Sequence, residues 1–98
     1  MGITKWSAFT DRQNEIAIIA KALSHPARIA ILEYIISTQS CICSNLVDKI
    51  DLSQATISQH LKVLKESWLI KWNVSWTSMC YCVDYKKLDV LKRYLKEV

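Results

Sequence analysis

Four cysteines stand in two Cys-x-Cys pairs, Cys41-Ile42-Cys43 and Cys80-Tyr81-Cys82. Thiolates are soft ligands for arsenite, antimonite, cadmium, lead, zinc and copper(I). Neighbouring thiols also form a dithiol–disulfide couple. An i,i+2 spacing puts both sulfurs of a pair on one side of an extended strand. One cysteine would be unremarkable as a small apolar filler; two such pairs point to soft-metal or thiol chemistry.

A second set of residues suits a different task. Gln54, Thr56, Ser58 and Gln59, followed by Lys62 and Lys65, lie along one polar face of a predicted helix. Short polar side chains reach base edges in a major groove: Gln pairs bidentately with adenine, and the Thr methyl meets the thymine methyl. Lysines one to two turns on suit phosphates. Any amphipathic helix has a polar face, so the neighbouring elements must decide.

Those elements follow from the hydrophobic pattern. Asp11 to Leu23 reads as a helix with Ile16, Ile19, Ala20 and Leu23 inward, Thr10 as N-cap and Asn14 in the capping-box position. Ser24-His25-Pro26 breaks the chain. Pro26 opens a helix to about Ser37 that buries Ile29, Leu32, Ile35 and Ile36. Cys41–Cys43 is a short strand, and Ser44 to Ile50 a short helix with Leu46, Val47 and Ile50 inward. After the turn Asp51-Leu52-Ser53, Ser53 caps a helix from Gln54 to about Glu66, with Ile57, Leu61 and Leu64 inward. Leu69–Val74 and Met79–Val83 form a hairpin through Ser75–Ser78. Alternation sets Met79, Tyr81 and Val83 on one face and Cys80 and Cys82 on the other. Tyr85 to about Glu97 is a last helix with Leu88, Leu91 and Leu95 on one side.

The expected fold is therefore mainly α with a small β-hairpin, in the order α-α-(β)-α-α-β-β-α, a winged helix–turn–helix. With 98 residues, half of them apolar, and no linker or repeat, residues 1–98 are read as one domain. A short strand ahead of the helix–turn–helix pairs in such a fold with the last wing strand. Cys41 would then stand beside Cys80 or Cys82, with all four sulfurs at one edge of the wing. Three thiolates would suit arsenite, four zinc or cadmium.

Charge agrees with a one-sided nucleic-acid footprint. Residues 1–52 carry five basic and five acidic side chains; residues 53–98 carry eight basic and four acidic, which is the whole +4 excess. A solvated lysine-rich surface would give the same count. No apolar run approaches the roughly 20 residues of a membrane span, and the N-terminus lacks a signal-peptide or myristoylation pattern. The expected location is the cytoplasm, where cysteines are more often thiols or metal ligands than structural disulfides.

At this point a resemblance carries weight. Lys21-Ala22-Leu23-Ser24-His25-Pro26-Ala27-Arg28 resembles the opening motif of the ArsR-type metal-responsive repressors. Cys41-Ile42-Cys43-Ser44-Asn45-Leu46 resembles their cysteine box, and the string from Leu52 to Leu64 is similar to their recognition helix. The resemblance spans roughly Glu15 to Tyr85. It implies a homodimeric repressor, not an enzyme, with the first and last helices as dimerisation helices. It would sit on double-stranded operator DNA and leave when an inducer binds. It singles out Gln54, Thr56, Ser58 and Gln59 as base contacts. His60 matches the family string, as a phosphate contact or packed residue rather than a ligand. Cys41 and Cys43 are implied as ligands of a thiophilic ion of the arsenite, cadmium, lead or zinc class. A thiol–disulfide switch needs no ion at all, and a protein-interaction module with structural zinc is a further alternative.

Departures from the pattern shape the expectations. Leu46 stands where some relatives have a third cysteine, and none precedes Cys41, so Cys80 and Cys82 are the candidates to complete a site. The last helix has Asp89 and Glu97 but no His, so no zinc or nickel site is expected at the dimer interface. Trp68, Trp72 and Trp76 occupy places where the family usually has glycine, and Gly2 is the chain's one glycine. A tryptophan held in the left-handed region costs about 1–2 kcal/mol.

Overall fold

The computed structural model describes residues 6–43, 50–75 and 78–98. A single 3-10 turn, Trp6–Ala8, precedes α1 (Asp11–Ala22) and α2 (Pro26–Ser37). Then follow β1 (Ile42–Cys43), α3 (Gln54–Glu66), β2 (Ile70–Ser75), β3 (Ser78–Val83) and α4 (Tyr85–Glu97). The sheet is antiparallel in the order β1-β3-β2. The short strand ahead of α3 thus pairs with the second wing strand. The expected helix from Ser44 to Ile50 lies outside the described residues except for Ile50, which packs against the core. Trp76 lies outside them too.

Local chemistry explains the helix ends. Thr10 caps α1, and the capping box is closed by Gln13 rather than Asn14. Helical geometry begins at Asp11, which makes Gln13 the third helical residue. The Gln13 N–H donates to Thr10 Oγ1 at 3.1 Å, and the Thr10 N–H donates to Gln13 Oε1 at 2.9 Å. His25 caps α2 through Nδ1, which accepts from the Ala27 N–H at 3.0 Å, with Pro26 at the first helical position. Asp84 caps α4, accepting from the Lys86 and Lys87 N–H groups.

The core joins Ile19 and Ala22 of α1, Ile31, Leu32 and Ile35 of α2, and Ile57, Leu61 and Leu64 of α3. Leu69, Ile70, Ile42 and Val83 close it from the sheet side. Two inward assignments differ from the pattern. Ile29 is 41% exposed and Ile31 takes its place, because α2 is apolar nearly all round and its period alone does not select a face. Ala20 is exposed, and the adjacent turn buries Ala22 instead. Helix α4 buries none of its residues fully. It lies against α1, tied by ion pairs Lys87–Glu15 and Arg12–Glu97.

Candidate nucleic-acid interface and thiol site

Helix α3 is held by its own cap and by its apolar face. The Ser53 hydroxyl accepts from the Thr56 N–H at 3.3 Å and donates to Thr56 Oγ1 at 2.9 Å. Ile57, Leu61 and Leu64 are buried beneath, so the opposite face must point outward. Gln54, Ser58, Gln59 and Lys62 are all exposed there. Gln54 reaches along the helix to Ser58 Oγ at 3.4 Å. Thr56 is half-buried, and its hydroxyl serves the cap. Lys65 is half-buried as well: its ammonium lies over the rings of Trp72 (5.2 Å) and Tyr81 (5.4 Å). The sequence reading of Lys65 as an outward, phosphate-facing lysine did not include this aromatic pairing, which only the wing's return past α3 creates.

His60 faces inward to α2. Its ring lies 4.5 Å from that of His25, and its Nδ1 is 3.3 Å from an Arg28 guanidinium nitrogen. Burial holds the His60 pKa below the usual imidazole value, and the charges of His25 and Arg28 push it the same way. Arg28 also donates to the Ala22 and Lys21 carbonyls at the end of α1 and to Ser24 Oγ. It therefore ties α1, α2 and α3 together. The Ser-His-Pro-Ala-Arg run carried that signal in the sequence, as a cap and break with an adjacent long donor.

Trp68 follows α3 with φ 65°, in the left-handed region that a glycine would occupy without a Cβ clash. Ser67 beneath it is buried, donating to the Leu64 carbonyl at 2.7 Å and accepting from the Leu69 N–H at 3.3 Å. The turn is fixed by those bonds, and Trp68 bears the resulting backbone conformation.

At the other edge of the wing, the register sets Ile42 opposite Tyr81 and Cys43 opposite Cys80. Cys41 and Cys82 are joined by a disulfide with a Cα–Cα separation of 4.4 Å. Cys80 is buried and also disulfide-bonded. The expectation that strand pairing brings the two Cys-x-Cys motifs together matches this arrangement. The expectation of thiols rather than disulfides does not: cross-strand sulfurs at this separation are within bonding reach. Among the described residues, no group of three or more His, Cys, Asp or Glu side chains is arranged to hold a metal ion. Also among them, no helix is long and apolar enough to cross a membrane.

Helix α3 with its exposed polar face, followed by a two-stranded wing that pairs with β1, has the architecture of a winged-helix DNA-binding protein. A family model described as a helix-turn-helix domain matches residues 23–71. The arsenical resistance operon repressor of Staphylococcus xylosus is 30% identical over 81 residues, covering 83% of this chain and 77% of that protein. Two solved structures are similar along nearly the whole fold. An ArsR-like transcriptional regulator from Rhodococcus sp. superposes with a TM-score of 0.78 at 21% identity, covering 90% of this chain and 82% of that one. The transcriptional repressor BigR from Xylella fastidiosa does so with a TM-score of 0.68 at 25% identity, covering 92% of each. The chain belongs to the ArsR-type winged helix–turn–helix repressor family.

Proposed function

We propose that this DNA-binding repressor works as a cytoplasmic homodimer on a double-stranded operator and is released by chemistry at Cys41, Cys43, Cys80 and Cys82. The observation that carries the control site is the Cys41–Cys82 link. It ties the segment leading into the helix–turn–helix to wing strand β3. Any event that joins or separates those sulfurs changes a restraint between the two parts of a DNA reader. The reading that this geometry supports best is a thiol–disulfide switch. Two thiols lose two protons and two electrons to an oxidant of the peroxide or disulfide class, and the new S–S bond pins β1 to β3. The reduced form holds the operator and the oxidised form lets go.

A second reading has its own support: the S. xylosus relative is named for arsenical resistance. The donor set fits such an ion, since these are soft sulfur ligands on adjacent strands. Disulfide sulfurs do not ligate, so Cys41 and Cys82, with Cys43 and Cys80, would hold a thiophilic ion only after reduction. The ion would supply a bridge between the same strands. On either reading, Gln54, Thr56, Ser58 and Gln59 are the base-contact candidates, Lys62 and Lys65 face phosphates, and His60 packs. No role in catalysis is proposed for any residue.

The test is fluorescence anisotropy on duplex DNA from upstream of the chain's own coding region. The fully reduced chain should bind tightly. Diamide oxidation should release it reversibly on the first reading, and arsenite or cadmium added under reducing anaerobic conditions on the second. Cys41→Ser should keep DNA binding and abolish the response. Equal affinity of reduced, oxidised and ion-treated protein would defeat both.

A further inference from the structure

We propose that Trp68, Trp72 and Lys62, with Lys65 behind them, form a platform for the sugar–phosphate backbone of duplex DNA beside the bases that α3 faces. The proposal rests on the DNA-reader function above and adds to its phosphate-facing lysines two indoles that the function did not use. The two indoles stack with ring centroids 5.9 Å apart and planes at 28°. They remain open to solvent, Trp68 at 60% and Trp72 at 41% exposure. With Lys62, Lys65 and Glu66 they line a shallow depression of about 440 Å³ between the end of α3 and the base of the wing.

Three observations argue that something covers this surface. First, Trp68 sits in the left-handed region, at a cost of about 1–2 kcal/mol for a residue with a Cβ. An indole so exposed recovers little of that by burial. Strain kept without a packing return is characteristic of binding surfaces. Second, the charge suits a polyanion. Lys62 is exposed, and the Lys65 ammonium is held over Trp72 and Tyr81 rather than swinging free. Two lysines outweigh the single carboxylate of Glu66. Third, the surface continues the outward face of α3. That helix is 13 residues long, so roughly 20 Å separates its ends at 1.5 Å per residue. A major groove is only about 12 Å wide. A helix whose first turns meet base edges therefore has its last turn at the groove wall, against the backbone. There an indole face packs on deoxyribose, the indole N–H donates to a phosphate oxygen, and Lys62 pairs with the next phosphate.

The test compares two duplexes bound by the full-length chain: one holding only the half-sites, and one extended by about half a helical turn, or 5 base pairs, on each side. Wild-type protein should bind the extended duplex roughly tenfold more tightly, with quenching of tryptophan emission. Trp68→Ala and Trp72→Ala should lose that gain and bind the short duplex as wild type does. Trp68→Phe and Trp72→Phe should keep most of it, which separates ring contact from misfolding. Lys62→Ala should lower the salt slope by about one unit, while the tryptophan variants leave it in place. Wild type that binds both duplexes equally overturns the platform and leaves the DNA-reader function standing. Wild type that binds neither duplex overturns that function and the platform with it. Alanine variants that change the sedimentation coefficient and weaken both duplexes alike assign the surface to a second copy of this chain, and the proposal fails.

Discussion

On the proposed function, single side chains on α3 divide into those that read bases, those that hold charge and those that pack. Gln54→Ala or Gln59→Ala should relax base preference by about 1–3 kcal/mol for each lost bidentate pair, measured by competition with single-base operator variants. Trp68 makes a different case. Replacing it by Gly relieves the left-handed backbone while giving up a mostly exposed ring, so stability should rise, by up to about 1–2 kcal/mol. Leu64→Ala, on the buried side of α3, should cost about 2–5 kcal/mol, with both variants measured by chemical denaturation. His60 supplies the pH dependence. Its folded pKa lies below the unfolded value of 6.5, so the unfolded chain takes up a proton first as pH falls. The stability this group contributes is present above 6.5 and is lost as pH drops through the lowered folded value. Melting temperature should therefore fall between about pH 7 and pH 5, and less steeply in His60→Asn, which carries no titrating ring. An identical pH profile in the variant would remove His60 from the account.

At the scale of elements, the disulfide makes the sharpest prediction. Cys41 and Cys82 are 41 residues apart. Closing a loop of that length restrains the unfolded chain by about 4 kcal/mol on the chain-entropy estimate. Reduction should lower the denaturation midpoint by at least that much, since Cys80 is disulfide-bonded too, and oxidised Cys41→Ser, which loses only the Cys41–Cys82 link, should melt between the oxidised and the reduced wild type. Elements with strong local signals were legible in the sequence. The Thr10 and Ser53 caps, Pro26 at a helix start and the apolar spacing of Ile57, Leu61 and Leu64 put α1, α2 and α3 where they are found. The pairing of the short cysteine strand with the second wing strand was legible from topology. What pattern alone missed depends on tertiary contacts. The inward face of α2 was ambiguous because Ile29 and Ile31 are equally apolar. The cage around Lys65 needs Trp72 and Tyr81, which come from two strands absent from the helix's own pattern. The oxidised state of Cys41 and Cys82 depends on their separation, which spacing along the chain does not encode.

The whole molecule is longer than a compact chain of its size. Its radius of gyration is 14.6 Å and its extents are 42 × 30 × 25 Å, against about 13 Å expected for 100 residues. Helices α1 and α4 lie side by side, and α4 buries no residue fully. Phe9 and Ile18 near α1 and Leu95 on α4 are all more than 40% exposed. A monomer does not gain by leaving these in water, whereas a two-fold partner would cover them and set two copies of α3 facing the same way. Two recognition helices related in this way match half-sites about one helical turn, roughly 34–36 Å, apart. The expected outcome is a dimer by sedimentation at micromolar concentration, with an operator footprint that is palindromic. Ile18→Glu together with Leu95→Glu should yield a monomer and weaken operator binding, since each half-site must then be bound alone. Non-specific binding should fall much less, because it depends on the charges of single subunits. A monomeric wild-type protein with undiminished operator affinity would rule the arrangement out.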